Sequence, residues 1–408
     1  MSVSIQRKQV WLFSMLILFS VAFNSDWKDS SIIWWGSVAF FAAAYAFYRN
    51  WKISLKFTKA DCWLLGLLAL SAISVTYAVN KAVVVDMLKT LLVMLATCYM
   101  IGNTIENEND VDQILFVIML SILVVVLYLY TNFDLNLFVL TRVGLADTGL
   151  WNANEVGIIS TVGIMIGLAQ LKKGTVPRRL IIVAMMAAFT YIAVIMASRK
   201  AFVMLIVVLC GMRMLNQPQK LIRNMVLITI GFCLACYMIL EIPFFYQLIG
   251  WRMEGMVAAL KGQVGTSDSS SFYRVMMLKS ALETFKKHPI LGVGMDNFRF
   301  FNANRVTYAH NNFAEIAADL GIVGIVGYYW IFVYIIIDFV KTFKKHDAVK
   351  NFLFVVIMAY LMNHIAMVTI TDMLQCIFIY MYVSYSEKTK QEMKNSRNSI
   401  LVDGLQAQ

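Results

Sequence analysis

"YAHNNFAEIAADLGIVGIVGYYW", residues 308–330, opens a long apolar run whose first turn holds a histidine, two asparagines and a glutamate. The run continues to about residue 340, well beyond the roughly 20 residues that cross a bilayer core. Polar side chains at membrane depth are costly, and those that persist there usually mark a functional site or a buried partner. His310, Asn311, Asn312 and Glu315 therefore raise the question of what the entrance to this helix faces.

The same apolar pattern recurs along the whole chain. Segments near 9–24, 31–48, 61–79, 86–102, 113–130, 155–171, 180–197, 201–215, 224–241, 311–340, 351–368 and 371–385 read as twelve candidate spans. Of the 408 residues 60% are hydrophobic and only 14% charged, a composition that excludes a soluble globular protein. The fold class expected is an all-α polytopic membrane protein of about 12 helices with one large outer loop. Residues 9–24 lack a small-residue cleavage site and read as a retained first span. The eighth span is short, and the tenth is long enough to tilt or to start as an interfacial helix. No internal repeat is visible, unlike the duplicated halves common in transporters. The organisation expected is residues 1–241 as nine spans, 242–310 as the large loop, 311–385 as three spans, and 386–408 as a flexible cytoplasmic tail.

Lysine and arginine orient the chain. With the N-terminus inside, the inner segments collect clusters such as Arg49, Lys52, Lys56 and Lys59, or Lys341, Lys344, Lys345 and Lys350, while the short outer loops carry few. Both termini are then cytoplasmic, in a bacterial cytoplasmic (inner) membrane on the family reading below. The acidic "GNTIENENDVD" (102–112) reads as a solvated inner turn. The net charge of +11 follows from inner loops facing anionic lipid and calls for no nucleic acid. All six cysteines, the Cys233/Cys236 pair included, fall in apolar runs and read as small hydrophobes rather than as disulfides or a zinc site.

This topology puts four polar stretches on one side. Span ten starts at His310 and span seven ends in "ASRKAF" (197–202), with Arg199 and Lys200. The loop "TRVGLADTGLWNANEVG" (141–157) brings Arg142, Asn152, Asn154 and Glu155, and the large loop brings Arg252, Arg274, Arg299 and Arg305. Arg199 alone reads as a helix-end arginine reaching for headgroups, yet an apolar helix follows it at once, near membrane depth. Asn152 and Asn154 suit a helix cap. "SFYRVMMLKSALETFKKH" (271–288) places Phe272, Val275, Met276, Leu282 and Phe285 on one stripe and Lys279, Lys286 and Lys287 on a basic face, an amphipathic helix lying at the membrane surface. Arginine forks match phosphate oxygens, and a neutral histidine accepts a proton near physiological pH. Arginines with a histidine, and without a carboxylate pair of metal spacing, point to metal-free transfer from a phosphate leaving group.

The order of "TRVGLADTGLWNANEVG", "ASRKAF", "SFYRVMMLKSALETFKKHPILGVGMDNF" (271–298) and "AHNNFAEIAADLGIVGIVGY" (309–328) resembles the O-antigen ligase and polymerase superfamily. These are GT-C-type membrane glycosyltransferases of bacterial surface polysaccharide assembly, in capsule or lipopolysaccharide. The resemblance implies transfer of an oligosaccharide from undecaprenyl diphosphate, at the outer face of the membrane, without metal or other cofactor. It makes Arg199 and Arg274 the diphosphate-binding residues and His310 the base that activates the acceptor hydroxyl. Arg142, Asn152, Asn154, Lys200, Asn311 and Glu315 become candidates for substrate binding, and Glu315 has the alternative of a structural partner. Lys200 stands where small residues are more typical of the family. The partners implied are the lipid-linked oligosaccharide, a glycan or lipid-linked acceptor, the bilayer and other polysaccharide assembly proteins. Repeat-unit polymerisation is the reading preferred, because many such polymerases share the HNN-type entrance. Ligation of the glycan to a lipid or other acceptor is the alternative, and a lipid-linked oligosaccharide flippase the second. His364, near a helix end, reads as a satisfied histidine rather than a proton relay.

Overall fold

The computed structural model describes residues 3–52, 57–133, 153–171, 173–196, 198–243, 246, 254, 269–301, 307–342 and 347–406. Among these it is all-helical. In chain order the helices are α1 (Val3–Phe23), α2 (Ser25–Asp29), α3 (Ser31–Tyr48), α4 (Lys59–Ser74), α5 (Lys81–Gly102), α6 (Glu108–Asn132), α7 (Ala153–Gln170), α8 (Val176–Met196), α9 (Arg199–Asn216), α10 (Leu221–Glu241), α11 (Ser269–Lys287), α12 (Asn312–Lys341), α13 (Ala348–Asn363) and α14 (Met373–Gln406). Six of them, α3, α5, α6, α7, α8 and α12, are long and apolar enough to cross a membrane. Each of the twelve apolar segments coincides with a helix, but several fall short of that standard. α4 and α13 have only 16 residues each, and α9 carries Arg199, Lys200 and Arg213. Side chains such as Leu180, Val194, Val326 and Val340 stand exposed along α8 and α12. Such lateral apolar surface belongs in lipid rather than water, and the protein is a multi-pass membrane protein.

Helix starts are set by side chains that accept free backbone N–H groups. Thr58 with Asp61 and Asn107 with Asp110 form reciprocal capping boxes at α4 and α6. Ser198 caps α9 and Asn311 caps α12. The helices then pack pairwise: α1 against α3 and α6, α7 against α6, α8 and α9, α9 against α13, and α14 against α5 and α13. One continuous core runs through them, with Trp11, Trp63, Tyr328 and Phe378 fully enclosed.

The long tenth segment is broken. Gly321 has φ 65° and ψ −159°, which splits α12 into a short helix up to Leu320 and a long one from Ile322. The segment 289–294 fills the gap. Val293 and Gly294 donate N–H bonds to the carbonyls of Ala318 (3.0 Å) and Asp319 (2.8 Å), and Ile322 donates to Pro289 O (2.9 Å). The approach leaves no space for a Cβ: one built on Gly321 lies 2.2 Å from Ile290 O, and one on Gly292 lies 2.3 Å from the Asp319 carbonyl carbon. Both glycines have φ near +65°, a region that costs other residues about 1–2 kcal/mol. The two glycine-containing motifs are therefore halves of one joint.

Asp319 closes it. Its buried carboxylate accepts the backbone N–H groups of Asp296 (2.8 Å), Asn297 (3.1 Å) and Phe298 (2.8 Å). On the other side of the segment, Tyr77 Oη donates to Leu291 O (2.8 Å), Met295 N donates to Ser74 Oγ (3.1 Å), and Asn80 N donates to Asn297 Oδ1 (2.8 Å). The end of α4 and the break in α12 thus clasp residues 289–298 between them.

Three expectations change. The acidic turn at 102–112 is ion-paired rather than merely solvated: Lys8 reaches Asp110 (2.7 Å), and Lys173 reaches Glu108 (2.6 Å) and Asp112 (2.7 Å). The tail is helical rather than an irregular end, since α14 continues to Gln406. No proline or glycine interrupts it before Gly404, and Lys390 pairs with the buried Asp338, which also accepts from Tyr382 and Ser386. The apolar stripe of α11 is rotated: Met277, Ala281 and Thr284 are buried, whereas Leu282 is 44% exposed. Ala281 meets Ala309, Ala314 and Ala318 of the α12 entrance, where small side chains permit close approach.

Replacing Asp319 by alanine leaves the Asp296 and Phe298 amides without an acceptor, at roughly 1–3 kcal/mol for each buried unmet donor, while Asn297 keeps Gly294 O at 3.0 Å. Thermal unfolding of the purified protein in detergent should shift sharply downward for Asp319→Ala and for Gly321→Ala. Gly66→Ala, where an added Cβ meets nothing within 4 Å, should be neutral or gain up to about 1 kcal/mol.

Candidate active site

A cavity of about 220 Å³ lies where the N-terminal turns of several helices converge. α7 contributes Asn154 and Glu155, α9 contributes Lys200, and α12 contributes Glu315 and Asp319. The clasped segment and the loop after it add Asp296, Arg299 and Tyr308. Met87 of α5 and the stretch between α13 and α14, with Met367 and Thr371, complete the wall. Of the sequence candidates, Asn154, Lys200 and Glu315 thus share one cavity. Arg142 and Asn152, like Arg252 and Arg305, lie outside the described residues.

His310 stands just behind this wall, its ring 4.2 Å from that of Tyr308. Its backbone is left-handed, with φ 55°, a conformation that costs a non-glycine residue about 1–3 kcal/mol and collects at functional sites. Fixed neighbours impose it. Ahead of it, the Ala309 N–H is held by the Glu315 carboxylate. After it, Asn311 Oδ1 accepts from Ala314 N (2.9 Å) while its Nδ2 donates to Ile365 O (3.0 Å). Asn312, fully buried, donates its N–H to His364 O (2.8 Å) and accepts from Thr369 N (2.9 Å). The two asparagines are therefore staples between α12 and the stretch after α13, and Glu315 holds the residue before the histidine. His364 is buried with its Nε2 2.9 Å from Gln375 Oε1, while its Nδ1 has no hydrogen-bond partner among the described residues, so the histidine is only half satisfied.

Electrostatics set the state of His310. Burial, then the Arg274 and Lys200 charges, push its pKa from 6.5 down to about 4. The imidazole is neutral at physiological pH and able to accept a proton. Burial also raises the Tyr308 hydroxyl, and it raises Asp296 against the opposing pull of Arg299, with which Asp296 is ion-paired. Arg274 sits in the second turn of α11, on the half-buried side of that helix.

Arg199 and Lys200 occupy the first turn of α9, against the positive end of the helix dipole. Cations at that end cost stability, by about 0.3–1 kcal/mol each, whereas anions gain it. The Ser198 hydroxyl that caps the helix donates to Asn154 Oδ1 (3.2 Å) and so ties α9 to α7. Two basic side chains and a helix N-terminus together form a strong anion-attracting corner. Arg199 and Arg274 both act electrostatically on Lys200, so the cations from α9 and α11 belong to one field.

Residues 179–329 match the O-antigen ligase family. That segment is similar to the O-antigen ligase domain. It contains Arg199, Lys200, Arg274, His310 and the broken start of α12, while Asn154 and Glu155 precede it. An O-antigen ligase or polymerase type of activity, a glycosyltransferase-like transfer, follows for the chain. No curated protein matches it.

Sequence reasoning missed Asp319, Asp296 and Tyr308 of this domain. Asp319 had a signal: a carboxylate one helical turn beyond Glu315 in an otherwise apolar helix. Tyr308 had none, because its place depends on the path of the loop.

The neutral state of His310 is measurable by its acylation with diethyl pyrocarbonate, which attacks only the neutral imidazole. After subtraction of the His310→Gln background, reactivity should rise with pH around 4. In Lys200→Met or Arg274→Gln, with one cation fewer, the inflection should move up toward 6.5.

Proposed function

We propose that this protein is a repeat-unit polymerase, transferring an oligosaccharide from undecaprenyl diphosphate to a growing glycan at the outer face of the cytoplasmic membrane. The observation that carries the reading is the pairing of a neutral histidine with Lys200 and Arg274, cations whose charges act on it, beside a cavity at one end of the helix bundle. The lysine and arginine asymmetry of the loops supports the orientation, with both termini cytoplasmic and twelve spans.

In this mechanism His310 takes the proton of the acceptor hydroxyl as its oxygen attacks the anomeric carbon. The C–O bond to the diphosphate breaks in the same displacement, and undecaprenyl diphosphate leaves. Arg199, Arg274 and Lys200 stabilise the charge that develops on the leaving phosphate, the larger electrostatic contribution in such a transfer. Asn154 and Glu155 stand at the cavity wall within reach of sugar hydroxyls, and Arg142 and Asn152 precede them in the sequence. No step in this scheme requires a metal ion.

Purified protein incubated with an undecaprenyl-diphosphate oligosaccharide in EDTA should yield a ladder of repeat units by mass. Donor that stays intact until a lipid acceptor is added would make the protein a ligase, and no transfer with any acceptor would overturn the reading. His310→Ala should lower turnover by the roughly 10²–10⁴-fold typical of a lost general base. Arg199→Ala and Arg274→Ala should chiefly weaken use of the donor.

A pH dependence follows. The bound diphosphate opposes the two cations that depress His310, so its pKa is higher in the complex than in the free enzyme. The acid limb of kcat/KM should fall near 4, and that of kcat should lie at higher pH, in rate profiles measured on the same preparation.

A further inference from the structure

A second cleft opens beside the first. It has a volume of about 250 Å³, just below the roughly 300–1,000 Å³ of sites for drug-sized ligands, which suits a single sugar ring. The two clefts share Thr371 as a wall residue, and consecutive residues of α5 face them, Asp86 the second and Met87 the first. Lys28, on the rim of the second cleft, lies within electrostatic reach of Glu155 in the first.

Its lining differs from that of the catalytic cavity. Two consecutive indoles, Trp34 and Trp35, stand on the first turn of α3, Trp34 packed on the core and Trp35 50% exposed. Facing them are the carboxylates of Asp29 and Asp86 and the ammonium of Lys89. Lys89 pairs with Asp86 at 2.9 Å, but both side chains are well exposed. Such a pair is worth little, about 0–1 kcal/mol, and opens readily to a polar ligand. With Lys28 the cleft carries two cations and two anions, so it has no preference for a diphosphate.

Aromatic faces take the C–H faces of sugar rings, and paired carboxylates and ammonium groups take their hydroxyls. We propose that this cleft binds a sugar of the acceptor glycan and holds the acceptor hydroxyl toward His310. The proposal rests on the transfer reading for the role of the sugar, while the binding itself can be tested apart from it. It names Trp35 and Asp86 as specificity-determining residues for the acceptor, remote from the cationic corner that takes the donor.

The test uses the full chain in detergent and, as probe, the free oligosaccharide released by mild acid from the producing cell's surface polysaccharide. The oligosaccharide should quench tryptophan fluorescence saturably in the wild type. In Trp35→Ala the quench should be lost, and in Asp86→Asn it should weaken. With the same oligosaccharide as soluble acceptor, both variants should raise the acceptor KM at least about ten-fold and leave the donor KM unchanged. Because Trp35 is half exposed, its loss leaves the core intact, and thermal unfolding equal to wild type confirms folding. An unchanged quench or an unchanged acceptor KM in Trp35→Ala overturns the site. Quenching by dispersed undecaprenyl phosphate but not by oligosaccharide also overturns it, making the cleft a lipid contact and the indoles part of an interfacial belt. Saturable, Trp35-dependent quenching in a protein that transfers nothing keeps the glycan site and removes the transfer reading instead.

Discussion

The structure depends on how a helix can stop and restart inside a low-dielectric bundle. Breaking α12 at Gly321 frees backbone groups that water cannot reach, and such groups cost several kcal/mol each in hydrocarbon unless the protein satisfies them. Segment 289–294 supplies the partners by bonding to Ala318, Asp319 and Ile322. Asp319 then binds the next three amides, 296–298. The α12 side of the site inherits its position from this joint. The short helix before the break carries Glu315, which holds Ala309, and the loop between clasp and helix carries Tyr308 and His310.

A second constraint is electrostatic. The cavity is walled by helix N-termini, whose dipoles favour anions, and Lys200 at one of them adds to that preference against the carboxylates of Glu155, Asp296, Glu315 and Asp319. A bundle that brings Arg199, Lys200 and Arg274 into one field carries a repulsion that an anionic ligand relieves. Burial first, and then the Arg274 and Lys200 charges, keep His310 unprotonated. One arrangement therefore attracts a phosphate and prepares a base, and the two effects are coupled through the charge of the ligand.

The neighbouring cleft illustrates how a bundle produces a different chemistry a few residues away. Along α5, Asp86 and Met87 point to different cavities, because successive residues on a helix are separated by about 100°. The wall shared at Thr371 brings two unlike linings into contact: one with Lys200 and Arg299 among four carboxylates, the other aromatic and charge-balanced.

Much of this was legible in the chain itself. Apolar runs of membrane length gave helices at all twelve segments, because a helix alone satisfies its backbone within one segment. The histidine, the arginines and the glycine turn were visible as polar or flexible exceptions in apolar surroundings. Some roles were not. That Asn311 and Asn312 tie α12 to the stretch after α13 could not be read, since their partners, Ile365 and Thr369, lie more than 50 residues away. Leu282 belongs to the apolar stripe read from the spacing of α11, but the face of a helix that is buried in the protein is chosen by what packs on it, here the alanines of the α12 entrance. The tail looked unstructured because no local signal shows Lys390 reaching Asp338. Sequence by itself determined the all-helical, membrane-embedded character of the chain and the residue types able to do the chemistry, which follow from local hydropathy and side-chain chemistry. Only the tertiary structure decided which of those residues meet, because the break in α12, the clasp and the converging helix ends are long-range pairings that no single segment encodes.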